Sequence, residues 1–181
     1  IILGLGGIGL SILLALKSLN VNKIIVIDVC EKKLEYAKSW GVEYVFRSKP
    51  ENFINKINKI TNGGADICFE SAGQTETIEL GFSLIKKGGG KLLFASHPPD
   101  GEFISLAPHE LICGKQIVGS WGGATKPDRD IPLMFELFKK CDIPLNSLLT
   151  KRYSLYNIKK AFADLEDGNV FRPLIEMDHP E

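Results

Sequence analysis

Gly4-Leu5-Gly6-Gly7-Ile8-Gly9 points to the fold more sharply than any other stretch of the chain. The apolar stub Ile1-Ile2-Leu3 precedes it, and an almost wholly apolar run of good helix formers, Ile8 to Leu19, follows. Strand, tight glycine turn and helix form the context that a G-x-G-x-x-G pattern requires before it carries meaning. Each glycine then has a physical task. Gly4 permits the turn out of the strand, Gly6 leaves the backbone open to a pyrophosphate, and Gly9 lets the helix pack closely on its strand. Free N–H groups and the positive end of the helix dipole face the phosphates.

The second half of a dinucleotide-binding fingerprint lies downstream. Ile24-Ile25-Val26-Ile27 is a β-branched run that reads as a buried strand. It ends on Asp28, about 20 residues beyond the glycines, where an acid hydrogen-bonds the hydroxyls of an adenosine ribose. A competing reading makes Asp28 the N-cap of the helix expected over Glu31–Trp40.

Composition narrows the alternatives. The chain has 181 residues, enough for one ordinary domain and an appendage. Lys+Arg and Asp+Glu are both 22, so there is no basic footprint for nucleic acid or an anionic membrane. No apolar run is long enough to span a bilayer, and no secretory signal opens the chain. Cys30, Cys68, Cys113 and Cys141 are widely spaced and read as reduced cytosolic thiols, so a cytoplasmic location is expected. The chain opens on Ile1, inside what should be its first strand, and is expected to be a piece of a longer protein.

Further along, helix and strand signals alternate. After the Glu31–Trp40 helix, Gly41 is a stop, and Val42 to Phe46 is a short third strand. Pro50 should open a helix with Phe53, Ile57 and Ile60 on one stripe, stopped by Asn62-Gly63-Gly64. Ala65 to Glu70 is a fourth strand, Gln74–Lys87 a helix, Lys91 to Ser96 a fifth strand. A short helix near Pro108–Cys113 leads to a sixth strand, Gln116 to Ser120, and a helix over Asp130–Lys140 carries Ile131, Met134, Phe135 and Phe138 at helical spacing. This is the pattern of an α/β doubly wound parallel sheet, six strands in the order 3-2-1-4-5-6 with helices on both faces, and ligands at the carboxyl ends of the strands. The pattern changes after about Leu148. A short extended piece, Lys151-Arg152-Tyr153, precedes a stripe of Ile158, Ala161, Phe162 and Leu165, and Pro173 gives the last strand, Phe171 to Met177, an edge character. Two units are therefore expected: a Rossmann domain over 1–148 and a C-terminal segment over 149–181 that packs on a different domain.

Together these stretches resemble the zinc-dependent alcohol dehydrogenases of the medium-chain dehydrogenase/reductase superfamily. The resemblance rests on Gly4-Leu5-Gly6-Gly7-Ile8-Gly9-Leu10-Ser11, Asp28 with Lys33, Phe69-Glu70-Ser71-Ala72-Gly73, Pro98-Pro99-Asp100 and the closing block Ile158–Arg172. It covers essentially the whole chain. It implies NAD as the cofactor, with Gly6, Gly7 and Ile8 along the pyrophosphate and Asp28 and Lys33 on the ribose. It further implies Ala72, Phe94, Ser96, Ser120 and Trp121 near the nicotinamide half, and Arg172 reaching back to the pyrophosphate. For Lys33 and Arg172 a surface lysine and a surface ion-pair partner are the plainer readings, and for Trp121 a packing role.

The family's zinc ligands lie in an N-terminal domain with no counterpart here, so no residue of this chain is assigned to a metal or to catalysis. His97, His109 and His179 show no ligand spacing. The resemblance implies a parent enzyme that moves a hydride between an alcohol and NAD, using zinc held elsewhere, and a chain that is inactive by itself. Homo-oligomers are expected through the Val118-Gly119-Ser120 edge. Without its partner domain the C-terminal segment is expected to be mobile or displaced unless another copy covers it, leaving Arg172 poorly held. Two alternatives are a zinc-free quinone reductase-like member of the superfamily, whose usual NADPH Asp28 would oppose, and a stand-alone NAD-sensing regulatory module, which would need neither the Trp121 loop nor the tail. A methyltransferase fits the glycine spacing and the strand number less well.

Overall fold

The computed structural model describes residues 1–48 and 53–177. Its first strand, β1 (Ile2–Leu3), is only two residues long but lies at the centre of a six-stranded sheet. The other strands are β2 (Ile25–Asp28), β3 (Tyr44–Arg47), β4 (Ile67–Glu70), β5 (Lys91–Phe94) and β6 (Gln116–Gly119). All pairings are parallel, in the order β3-β2-β1-β4-β5-β6. This is the expected doubly wound sheet.

Alternation along the strands explains the two-sided core. Leu3, Ile25 and Ile27 face one apolar cluster with Ile57, Ile78, Phe82 and Leu92. Ile2, Ile24 and Val26 face the other, with Leu10, Leu13, Leu14, Leu34 and Trp40. Successive side chains of a strand point to opposite faces, so an unbroken run such as Ile24–Ile27 belongs to a strand covered on both sides. Helices α1 (Gly7–Ser18) and α2 (Glu31–Ser39) cover one face, and α3 (Phe53–Thr61) and α4 (Thr75–Leu84) cover the other. Helix α1 buries Leu10, Leu13 and Leu14 at i, i+3, i+4 spacing. Gly41, at φ +74°, follows α2 in the left-handed conformation that closes helices.

Several expected boundaries move. The helix expected through Lys87 ends at Leu84 because Ile85 turns extended and bridges Ala65. The Ala65 N–H donates to the Leu84 carbonyl and the Lys86 N–H to the Ala65 carbonyl, and this pairing displaces the helical bonds. The helix expected to start at Asp130 is α6 (Pro127–Phe138), after the short α5 (Pro108–Ile112). Pro127 stands in the first turn, where its missing N–H costs nothing, and the Asp130 carboxylate accepts the Lys126 N–H at 2.8 Å. Of the α6 stripe only Phe138 packs on the core, while Ile131, Met134 and Phe135 stay exposed. The Pro50 helix start lies outside the described residues.

The C-terminal segment adds no strand to the main sheet. Strands β7 (Lys151–Ser154) and β8 (Pro173–Glu176) pair parallel in a sheet of their own, connected through α7 (Ile158–Glu166). Tyr153, Ala161 and Val170 form its small core. The segment is docked on the main unit, not displaced from it. Phe171 joins the α1–α2 cluster and packs on Tyr36 with ring centres 5.0 Å apart, and Lys32 donates to Asn169 at 2.5 Å. The apolar stripe is only partly covered: Ala161 is buried, whereas Phe162 is 60% exposed.

Candidate functional site

The glycine turn sits at the carboxyl end of β1, between the ends of β2 and β4, at the point where the strand order reverses. Its glycines are required for different reasons. Gly4 has φ +87°, and a Cβ there would stand 2.9 Å from the Ala72 nitrogen. At Gly9 a Cβ would come within 1.9 Å of the Gly4 carbonyl oxygen, a contact no side chain can make, so only glycine lets α1 start against the turn. Gly6 differs. A Cβ there would meet nothing within 4 Å, so no intramolecular packing demands glycine at this position. It faces open space, as a backbone that must be approached by a ligand does.

Helix α1 begins directly behind the turn. Its first intrahelical bond runs from the Leu10 N–H to the Gly6 carbonyl at 3.0 Å, so the N–H groups of Gly7, Ile8 and Gly9 have no intrahelical acceptor. No acidic side chain stands in the first turn to neutralise the dipole. The Arg172 guanidinium lies against Gly7, with Nη2 2.9 Å from the position of a Cβ there. Ile8 is exposed at the lip of the turn. An anion at this helix start would meet three N–H donors and a guanidinium.

Asp28 ends β2 and is buried, with 7% of its surface exposed. Its Oδ2 accepts the Leu5 N–H at 2.6 Å, and its Oδ1 accepts the Cys30 N–H at 2.8 Å. The N-cap of α2 is Cys30, so capping is not what Asp28 does. It clamps the glycine turn to the end of β2. Each carboxylate oxygen has two acceptor positions, and each spends one inside the protein. Lys33 is half-buried on the first turn of α2.

On the other side of the turn, β4 also ends on a buried acid, Glu70, in register with Leu3 and Phe94. The next residue, Ser71, donates its hydroxyl to the Gly4 carbonyl at 2.9 Å and lies 3.1 Å from that of Leu3. Ala72 is exposed beside Gly4. Ser96, beyond β5, donates its hydroxyl to Glu70 Oε2. The Phe94 ring packs into the core and under Gly119 rather than into the cleft, so its backbone is what it offers at this edge. Ser120 closes β6 with its N–H on the Phe94 carbonyl at 2.9 Å. Trp121 is 82% exposed and stands edge-on to His97 at 4.7 Å, so it is not core packing. Every proposed site residue thus lies along one rim, at the carboxyl ends of the strands or on α1, α2 and the tail beside them. A separate cleft lined by Ile1, Val21, Ile24, Ala65 and Ile67 opens at the opposite edge of the sheet, away from this rim.

Glu70 and Ser71 lie within the Phe69–Gly73 motif, but nothing in their spacing assigns them a task. The available signal was that both strands flanking the turn end on an acid.

Among the described residues no three His, Cys, Asp or Glu side chains gather where they could hold a metal ion. Burial pushes the Cys68 thiol up to about 12, so it is no thiolate donor at neutral pH.

Comparison with known proteins agrees with this geometry. The family model described as zinc-binding dehydrogenase matches residues 7–140. The chain belongs to the zinc-binding dehydrogenase family. It is 32% identical to alcohol dehydrogenase-like 2 of Arabidopsis thaliana, covering 98% of this chain and 47% of the relative. It is 27% identical to the S-(hydroxymethyl)glutathione dehydrogenase of Saccharomyces cerevisiae, with 98% and 47% covered. Benzyl alcohol dehydrogenase from Acinetobacter calcoaceticus superimposes with a TM-score of 0.89 at 30% identity, over 98% of this chain and 49% of that one. The chain therefore spans about half the length of the curated relatives it matches.

Proposed function

We propose that this chain is the coenzyme-binding half of an NAD-dependent alcohol dehydrogenase. The observation that carries the reading is the pairing of Gly6, open to approach although nothing in the fold needs glycine there, with the buried Asp28 clamped beside it. The helix start of α1 and Arg172 would hold the pyrophosphate. Asp28, with Lys33 on the first turn of α2, would take the adenosine ribose on its remaining acceptor positions, and its charge would repel a 2′-phosphate, which favours NAD over NADP. The strand ends at Ala72, Phe94, Ser96, Ser120 and Trp121 would flank the nicotinamide.

The coenzyme, when bound, supplies the hydride acceptor or donor, and this chain's residues bind and orient it. Among the described residues no set of side chains fits a zinc site. In the whole protein the ligands would come from elsewhere in the polypeptide, and this chain alone should not turn over an alcohol. No described helix is long and apolar enough to cross a membrane. Four free cysteines favour a cytoplasmic setting. The outer strand β6, with Val118 exposed and no lysine or proline along it, would pair with a second copy.

The test is titration of NADH into the chain and into its Gly6→Ala variant. The reading requires binding by the first and clear weakening in the second, since the added methyl would occupy the space the pyrophosphate needs. Equal binding by both would remove the pyrophosphate from this turn.

A further inference from the structure

Glu70 is fully buried, and its partners are N–H and O–H groups, not a cation. Oε1 accepts the Ala72 N–H at 2.8 Å and the Gly73 N–H at 2.9 Å. The Thr77 hydroxyl of α4 lies 2.8 Å from both Oε1 and the Gln74 carbonyl, and its one proton is shared between them. Oε2 accepts the Ser96 hydroxyl. Burying an acid is costly unless its acceptor positions are filled, and here two backbone and two hydroxyl donors from three segments converge to fill them. A leucine would pack the end of β4 without that cost. What the acid gains is geometry: it fixes the turn after β4, the first residues past β5 and the start of α4 relative to one another.

Resting on the coenzyme reading above, we propose that Glu70 is a positioning residue that holds the nicotinamide-side rim of the site. It touches no coenzyme itself. Its hydrogen bonds go to Ala72, Gly73, Thr77 and Ser96, all on the β4–β5 side. The glycine turn is held by other groups, the Asp28 carboxylate and the Ser71 hydroxyl, and Ser71 is itself tied to β1 by its N–H on the Leu3 carbonyl at 2.8 Å, a bond the Glu70 side chain does not make. The two halves of the rim therefore have separate supports. Loss of Glu70 should disturb the nicotinamide half and spare the adenosine and pyrophosphate half.

The experiment is calorimetric titration of NADH and of ADP-ribose, which lacks the nicotinamide, into the full chain and its variants. Glu70→Ala should weaken NADH by about tenfold or more, which is about 1.4 kcal/mol, and leave ADP-ribose within about twofold, since its contacts keep their supports. Glu70→Gln should bind both within about threefold of the wild type, because its amide oxygen can still accept from Ala72 and Gly73 while its NH2 donates to a reversed Ser96 hydroxyl. If Glu70→Ala does not fold, Thr77→Val carries the test. It removes one donor from Oε1 at constant shape and should weaken NADH by about threefold with ADP-ribose unchanged. A purely structural role would lower the melting temperature and shift both ligands together or neither, and either result overturns the proposal. A wild type that binds neither ligand would overturn the coenzyme reading and the proposal with it.

Discussion

Replacing Asp28 by Ala should damage stability and coenzyme choice at once, and the two effects can be separated. The carboxylate bonds two N–H groups, Leu5 at 2.6 Å and Cys30 at 2.8 Å. A hydrogen bond to a charged group contributes about 1.5–3 kcal/mol. Leu5 is fully buried, so its N–H would be stranded, whereas Cys30 is half-exposed and its N–H can recover a water. We therefore expect a loss of about 2–3 kcal/mol, mostly from the Leu5 side. At roughly 2–4 °C per kcal/mol for a domain of this size, the melting temperature should fall by about 4–12 °C. Urea unfolding followed by circular dichroism measures the first quantity and differential scanning calorimetry the second. A loss below about 0.5 kcal/mol would refute the clamp, because an ordinary surface substitution does as much. Coenzyme choice is the independent readout. The same variant should lose at least about tenfold of its preference for NAD over NADP, about 1.4 kcal/mol, since the repulsion toward a 2′-phosphate disappears with the carboxylate. Lower stability with unchanged preference would leave Asp28 as a structural clamp only.

Other predictions test separate parts. Gly9→Ala should fold poorly or not at all, judged by expression and circular dichroism, because its methyl would collide with the Gly4 carbonyl, whereas Gly6→Ala should melt within about 2 °C of the wild type. Asp164 has its carboxyl held below the usual range, first by the hydrogen bond from Tyr153 at 2.6 Å and then by Lys151 at 3.2 Å. Its stabilising contribution is therefore complete above the unfolded value of about 3.9 and is lost as pH falls through the lower folded value. Between about pH 5 and pH 2.5 the urea midpoint should fall more for the wild type than for Asp164→Asn, and parallel curves would refute the linkage. Val118→Arg on the exposed edge of β6 should convert an oligomer to a monomer in sedimentation velocity, and a wild type already monomeric at micromolar concentration would contradict edge pairing.

Much of the fold was legible because its causes are local. Unbroken β-branched runs such as Ile24–Ile27 can be buried on both faces only in a parallel sheet covered by helices, and the glycine turn marked the central strand. Boundaries failed where a tertiary bond displaced a local preference, as at Ile85, whose bridge to Ala65 no helical pattern announces. Arg172 was expected at the glycine turn, but the other contacts around Tyr36 were not legible. Phe171 finds Tyr36, and Ser147 offers its carbonyl to the Tyr36 hydroxyl at 2.5 Å, across a hundred residues of sequence. In the site, glycines and the acid could be read from spacing. The clamp from Asp28 to Leu5 and the four-donor cage around Glu70 could not, because hydrogen bonds between strand ends depend on strand order and register, which become known only with the sheet.

The rim formed by the glycine turn, Asp28 and Arg172 should bind a dinucleotide and prefer NAD. Calorimetric titration of NADH and NADPH into the wild-type chain under one set of conditions tests it most directly. The expected result is one NADH site per chain and an affinity for NADPH weaker by about tenfold or more. Absence of binding by either nucleotide at millimolar concentration, or a preference for NADPH, would contradict it.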